Sequence, residues 1–146
     1  MVANWFEVKI KYHKINDEGK EVKVSETYLI DAMSFTEAES RITISLKEMI
    51  QHDFYIVSIK KSNITELIES DDINDDKYFK AKVSIIDADQ ISGKEKRSNQ
   101  YFLIAGANVD SALEHLRKTL STYVVPTDIV SVGDSNIVDV FPYFSE

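Results

Sequence analysis

The chain contains one pattern of residues twice. Residues 5–68 and 78–141 align with only a one-residue adjustment in a hairpin and another after a helix. A duplicated unit constrains the architecture strongly and the chemistry hardly at all. The matched positions include Trp5 with Tyr78, Phe6 with Phe79, Gly19 with Gly93, Leu29 with Leu103, Ala38 with Ala112 and Ser58 with Ser131.

Chain length limits how the two copies can be stabilised. The chain has 146 residues, so each half is near the lower size limit for an independent hydrophobic core. We therefore expect one compact domain, residues 1–146, in which the copies share a core. The copies span about residues 4–68 and 77–143, and an acidic linker, residues 69–76, joins them.

Composition excludes several classes of protein. A hydrophobic fraction of 43% fits a folded domain, and no apolar run approaches the roughly 20 residues needed to span a bilayer, so we expect a soluble cytoplasmic protein. The net charge of -8 disfavours nucleic-acid binding by overall attraction but leaves room for a local basic face. The absence of cysteine excludes disulfides, thiolate metal sites and cysteine nucleophiles.

Each half reads as two strands, a helix and a third strand. Apolar and polar residues alternate at 6–12 and 79–85, the pattern of half-buried strands, and the return strands cover about 21–30 and 95–104. The hairpin loops end on Gly19 and Gly93, which can adopt positive φ.

Two helices follow the return strands. Ser34 with Glu37 three residues later predicts a capping box, and Asn108 is the predicted cap of the second helix. Apolar residues recur at three-to-four spacing in both helices: Phe35, Ala38, Ile42, Leu46, Met49 and Ile50 in the first, and Val109, Ala112, Leu113, Leu116 and Leu120 in the second.

The segments after the helices allow more than one topology. Residues 55–60 and 129–132 each precede a polar break and a second apolar segment, which forms either one long bulged strand or two short strands. We favour the long bulged strand in the second half. A crossover through the helix places the third strand parallel to the second and beside the first. The fold class is α+β with an internally duplicated β-β-α-β unit and pseudo-two-fold symmetry, in which two helices cover one or two antiparallel-rich sheets.

Three segments carry a resemblance to a known group of proteins. They are residues 4–10 (NWFEVKI), 28–39 (YLIDAMSFTEAE) and 137–143 (IVDVFPY). With these the chain resembles a family of small uncharacterised proteins from Bacteroidetes and their mobile elements. The resemblance implies a lineage and no activity, cofactor or catalytic residue.

The sequence lacks the usual catalytic and metal-binding constellations. His13, His52 and His115 share no ligand spacing, which predicts no transition metal, and the acidic linker lacks the glycine and closing glutamate of a calcium loop. Four glycines form no phosphate-binding loop. The sequence therefore favours a non-enzymatic protein without a cofactor.

The most suggestive set of polar residues lies on the strand positions that face away from the predicted core. Aromatic rings beside lysines on a sheet are typical of single-strand nucleic-acid platforms, although lysine is also common on exposed strands. The tentative binding face comprises Trp5, Lys9, Lys11, Lys23, Tyr78, Lys80, Lys82, Arg97 and Tyr101.

Three functions remain open at this point. The favoured one is an interaction module that presents a groove or a sheet edge to a protein partner or to a second copy as a homodimer. The first alternative is single-stranded nucleic-acid binding through the aromatic and lysine face. The second is a small-ligand site between the copies, which includes the possibility of an enzyme built there.

Overall fold

The chain forms strands and helices in the same order in both halves. The computed structural model describes residues 4–142; Tyr143, the last residue of the resemblance, lies outside them. The architecture is α+β, as predicted, with two mostly antiparallel four-stranded sheets and two helices in the described part of the chain. The elements are β1 (Trp5–Ile15), β2 (Glu21–Asp31), α1 (Phe35–Met49), β3 (Phe54–Lys61), β4 (Glu66–Ile68), β5 (Lys77–Ala88), β6 (Glu95–Gly106), α2 (Val109–Leu120), β7 (Thr127–Asp134) and β8 (Ile137–Phe141).

The strand neighbours follow one plan in both sheets. The first sheet has the order β3-β1-β2-β8, and the second has the order β4-β6-β5-β7. Because β3 pairs antiparallel with β1, which pairs antiparallel with β2, β3 runs parallel to β2 and lies beside β1. The predicted position of the third strand is therefore confirmed, and β7 repeats it beside β5.

The last strand of each half belongs to the sheet of the other half. β8 pairs in parallel with β2, and β4 pairs in parallel with β6. The chain accordingly divides into two compact units, one formed by residues up to Asn63 together with those from Asn136, and the other by Ile64–Ser135. The predicted long bulged strand in the second half is wrong, because β7 and β8 are separate strands of different sheets. Periodicity indicates which residues of a strand face the core, but it does not indicate which other strand pairs with that strand.

The buried side chains that pack with the two helices form two clusters, one in each unit. The expectation of one domain in which the copies share a core stays a prediction. In the first unit Phe6, Val8 and Ile10 of β1 pack with the buried face of α1. In the second unit Phe79, Ala81 and Val83 of β5 pack with α2. Burial of each large apolar side chain contributes about 1.5–3 kcal/mol. The helices bury matching residues: Ala38, Ile42 and Leu46 in α1, and Ala112, Leu116 and Leu120 in α2.

The predicted local signals account for the ends of the helices and the hairpins. The Ser34 hydroxyl accepts the Glu37 N–H, whereas the Glu37 carboxylate accepts the N–H of Met33 and not that of Ser34, so the expected capping box is only half formed. Asn108 caps α2 as predicted. Gly19 and Gly93 have φ of 78° and 73°, values that favour glycine.

The ends of the predicted apolar helix faces lie outside the core. Phe35 and Met49 at the two ends of α1 are exposed, as is Val109 at the start of α2. Neither helix in the described part of the chain is long and apolar enough to cross a membrane.

Candidate functional site

The outward side of the first sheet gathers basic and aromatic side chains. Residues that are paired across antiparallel strands point to the same side of a sheet, so the strand register maps this surface. Lys11 lies between Ser25 of β2 and Tyr55 of β3, and Glu7 lies beside Lys60. We call this surface the first lysine face; it comprises Trp5, Lys9, Lys11, Lys23, Tyr55 and Lys60, together with the acidic residue Glu7.

The outward side of the second sheet carries the other predicted residues. Lys82 pairs across the strands with Tyr101, and the Nζ atom of Lys80 lies 5.6 Å from the centroid of the Tyr101 ring. This distance is within the range of a cation–π contact. Arg97 forms an ion pair with Asp128 of β7 at 3.2 Å, so its charge is already partly satisfied. Tyr78 lies on the same side.

The structure thus places the nine predicted residues on two surfaces and leaves them unequally exposed. Lys9 and Lys23 are exposed, whereas Lys80, Lys82 and Tyr101 are only partly exposed. Leu29 and Leu103 lie on these outward sides and are fully buried. The outward side of each sheet is therefore apolar and buried near one end, and the exposed positive charge concentrates on the first lysine face.

A groove of about 570 Å³ lies between α1 and the edge strand β3. Within residues 4–142 no strand pairs with the outer side of β3. Ile50, Phe54 and Ile56 supply the apolar part of the groove, and Glu39 and Lys47 supply opposite charges. We call it the α1–β3 groove; its remaining lining residues are Thr43, Gln51, His52 and Asp53.

The second unit has a smaller groove at the matching place. It measures about 330 Å³ and lies between α2 and the edge strand β7. Arg117 stands on α2 where Thr43 stands on α1, and Ile129 of β7 matches Ile56 of β3. The two units therefore share the position of a groove and differ in its size and charge.

Two histidines lie at the hairpin end of the first unit and form no metal site. The His52 ring stacks on Tyr12 with centroids 5.9 Å apart, and His13 Nδ1 lies 3.3 Å from a carboxylate oxygen of Glu21. Burial, together with the Glu26 carboxylate, raises the pKa of Tyr12 above its ordinary value of 10.0. The described residues contain no cluster of three or more ligands able to hold a metal ion.

The third histidine, His115, lies beside the linker in the second unit. Its Nδ1 atom lies 2.9 Å from the Ala105 carbonyl oxygen, so Nδ1 carries the proton, since a carbonyl only accepts. Nε2 of His115 lies 3.7 Å from the Asp75 carboxylate, which also accepts a hydrogen bond from Ser70. The Ser70 hydroxyl is therefore a local partner of the Asp75 carboxylate, and His115 Nε2 becomes a second one only when the ring is doubly protonated.

Comparison with known protein families gives a match over nearly the whole length of the chain. A family model described as a domain of unknown function, DUF4494, matches residues 4–143. The chain belongs to the DUF4494 family. The expectation of an uncharacterised family is confirmed, and this DUF4494 member matches no curated protein and no solved structure. Its function must therefore be inferred from its own residues.

Sequence reasoning missed the residues of the α1–β3 groove. Phe54 and Ile56 alternate with Tyr55, a pattern that predicts a strand but not that the strand lies at an edge. Thr43 and Lys47 lie four residues apart on α1, one position after the buried residues Ile42 and Leu46. That spacing places both residues at the rim of the apolar helix face. It is the signal in the sequence from which these groove residues could have been predicted.

Proposed function

We propose that this protein is a non-enzymatic interaction module that binds an extended segment of a partner protein. The segment adds as a strand to the outer side of β3 and places side chains in the α1–β3 groove. The observation that carries the proposal is the groove itself, an open depression between the outer side of the edge strand β3 and helix α1. Strand addition of this kind obtains affinity from backbone hydrogen bonds and specificity from pockets for alternate side chains.

The composition of the groove suits such a segment. An added strand points every second side chain toward α1, where Ile50, Phe54 and Ile56 offer apolar contact. Glu39 and Lys47 can then fix the register through polar contacts at the rim. The first cluster of the core holds this geometry in place, because Ile50, Phe54 and Ile56 also pack against it.

Selection from a displayed library of random linear peptides tests the proposal. We expect the full chain to select peptides with apolar residues at alternate positions. Bound peptide should slow hydrogen exchange of backbone amides in β3, because an added strand pairs with the unpaired groups of that edge. Failure to select any peptide, or protection confined to other strands, would overturn the proposal.

A matched pair of variants on α1 locates the binding site. Thr43→Arg places in the α1–β3 groove the side chain found at the matching position of α2, and it should abolish peptide binding by filling the groove. Thr36→Arg introduces the same side chain at an exposed position in the first turn, outside the groove, and should leave binding unchanged. Equal effects of the two variants would contradict the assignment.

A second candidate function rests on the first lysine face. Lys9, Lys11, Lys23 and Lys60 share one side of the sheet, and Tyr55 lies on the same side, across the strands from Lys11. Stacking on aromatic rings with lysines near the phosphates is the usual mode of single-strand binding. This arrangement supports nucleic-acid binding in spite of the net charge of -8.

Fluorescence of Trp5, the single tryptophan, tests this candidate directly. Titration with a single-stranded oligonucleotide at low salt should quench it, and the combined change Lys9→Glu and Lys23→Glu should remove the quenching. The control, Lys94→Glu with Lys118→Glu, makes the same change in charge on exposed residues of the second unit. Absence of quenching in the unmodified chain would end this candidate.

A further inference from the structure

The edge strand β3 of the first sheet and the edge strand β7 of the second carry opposite charges. β3 reads FYIVSIKK and contains Lys60 and Lys61 without any acidic residue. β7 reads TDIVSVGD and contains Asp128 and Asp134 without any basic residue. Both have an exposed valine at a register shift, Val57 in one and Val130 in the other. The edges are thus alike in apolar sequence and complementary in charge.

We propose that the strand taken up beside β3 is β7 of a second copy of this chain. This inference rests on the proposed function and names the partner of the same groove. Antiparallel pairing is the stronger form of strand addition, and it brings the end of β3 to the beginning of β7. Lys60 of one copy then lies next to Asp128 of the other.

The strand register supports this pairing on both sides of the new sheet. Lys60 pairs with Glu7 on the outward side of the first sheet, and Asp128 pairs with Ser84 on the outward side of the second. If the two sheets join so that their outward sides form one surface, Lys60 and Asp128 both lie on that surface. The same arrangement brings α1 of one copy and α2 of the other to the opposite surface, where the two grooves face each other.

The charges also select against the competing pairings. Antiparallel pairing of two β3 strands places the lysines of each strand beside Phe54 and Tyr55 of the other, without a carboxylate partner. Antiparallel pairing of two β7 strands brings Asp128 of one strand near Asp134 of the other, which is repulsive. Charged residues and bulges on edge strands usually prevent sheet-to-sheet association. Among the pairings of β3 and β7, only the mixed one joins opposite charges, and this favours it over the two pairings of like strands.

Charge exchange between the edges tests the proposal by analytical ultracentrifugation. The unmodified chain should self-associate in a concentration-dependent manner that weakens with added salt. In this pairing Lys60→Asp places two carboxylates side by side and Asp128→Lys places two ammonium groups side by side, so each variant alone should associate about tenfold more weakly or worse. A mixture of the two variants should restore association, since each offers the edge that the other requires.

Controls keep the outcome decisive. Lys94→Asp makes the same charge change in a hairpin loop and should leave association unchanged. If Asp128→Lys fails to fold beside Arg97, Asp128→Asn replaces it and should weaken association and its salt dependence. A chain that is monomeric at all concentrations, or a mixture that stays monomeric, overturns this inference. Peptide binding that is abolished by Thr43→Arg in such a monomeric chain would leave the proposed function standing by itself.

Discussion

The protonation of Tyr28 is coupled to the fold. Its side chain is 3% exposed, its ring stacks on Phe141, and its hydroxyl donates a hydrogen bond to Glu26 at 3.0 Å. Burial, followed by the Glu26 carboxylate, raises the pKa of Tyr28 well above its ordinary value of 10.0. The folded state therefore holds this proton at a pH at which the unfolded chain releases it.

This shift predicts a loss of stability in alkali. A raised folded-state pKa gives a contribution that is complete below pH 10.0, the unfolded value, and is lost as pH rises toward the folded value. Tyr28→Phe should lower the free energy of unfolding by about 1 kcal/mol at neutral pH and should make its decline above pH 10.0 shallower. Urea unfolding at a series of pH values measures both effects. Identical alkaline slopes in the two proteins would contradict the prediction.

Two glycines offer a matched test of packing. An added Cβ at Gly106 would lie 3.0 Å from the backbone nitrogen of Ala112, whereas at Gly133 it would meet nothing within 4 Å. Gly106→Ala should therefore destabilise the chain by about 1–3 kcal/mol, since backbone atoms cannot yield as a flexible side chain does. Gly133→Ala lies in a strand and should be neutral or stabilising by up to about 1 kcal/mol. Thermal unfolding compares them; equal effects would count against the packing argument.

At the scale of elements, the start of α2 is a self-contained unit. The Asn108 side chain accepts the Ser111 N–H at 2.8 Å, and the Ser111 hydroxyl accepts the Asn108 N–H at 3.2 Å. Asn108→Ala should lower the free energy of unfolding by about 0.5–2 kcal/mol, because one helix N–H loses its partner. Asn108→Ser should keep most of the stability that Asn108→Ala loses, because serine caps a helix about as well as asparagine. Chemical denaturation of the three proteins measures this, and a Ser variant as unstable as the Ala variant would refute it.

Alternation and capping residues predict the elements well, because these signals act within a few residues of the chain. Phe6, Val8 and Ile10 alternate with polar residues and form β1, and Asn108 caps the helix that it was expected to cap. Strand neighbours depend on contacts between distant segments, so the position of β8 beside β2 lies outside what periodicity can predict. The α1–β3 groove was missed for the same reason, since it exists only because β3 is an edge strand.

At the scale of the whole molecule, the local charge pattern carries information that the total charge hides. The net charge of -8 argues against polyanion binding, yet the register places Lys9, Lys11 and Lys23 on one side of the first sheet. Alternation along β1 predicts the outward side of Lys9 and Lys11, and Lys23 was expected only to lie near them on the return strand. The opposite charges of β3 and β7 could also be read from the sequence, but their meaning depended on both strands being edges.

The exchange of last strands predicts that the two halves of the chain fold only together. Fragment 1–73 lacks β8, which completes the first sheet beside β2, and fragment 74–146 lacks β4, which completes the second beside β6. Without β8, the buried residues Ile137 and Val140 and the Phe141 ring on Tyr28 are lost to the first unit. Each fragment alone should therefore show little native circular dichroism, and an equimolar mixture should restore it together with the native Trp5 emission. A second fragment that ends at Asn136 lacks β8 and should fail to restore the emission. Stable monomeric folding of either fragment alone would show that its own last strand can replace the exchanged one, and would refute the prediction.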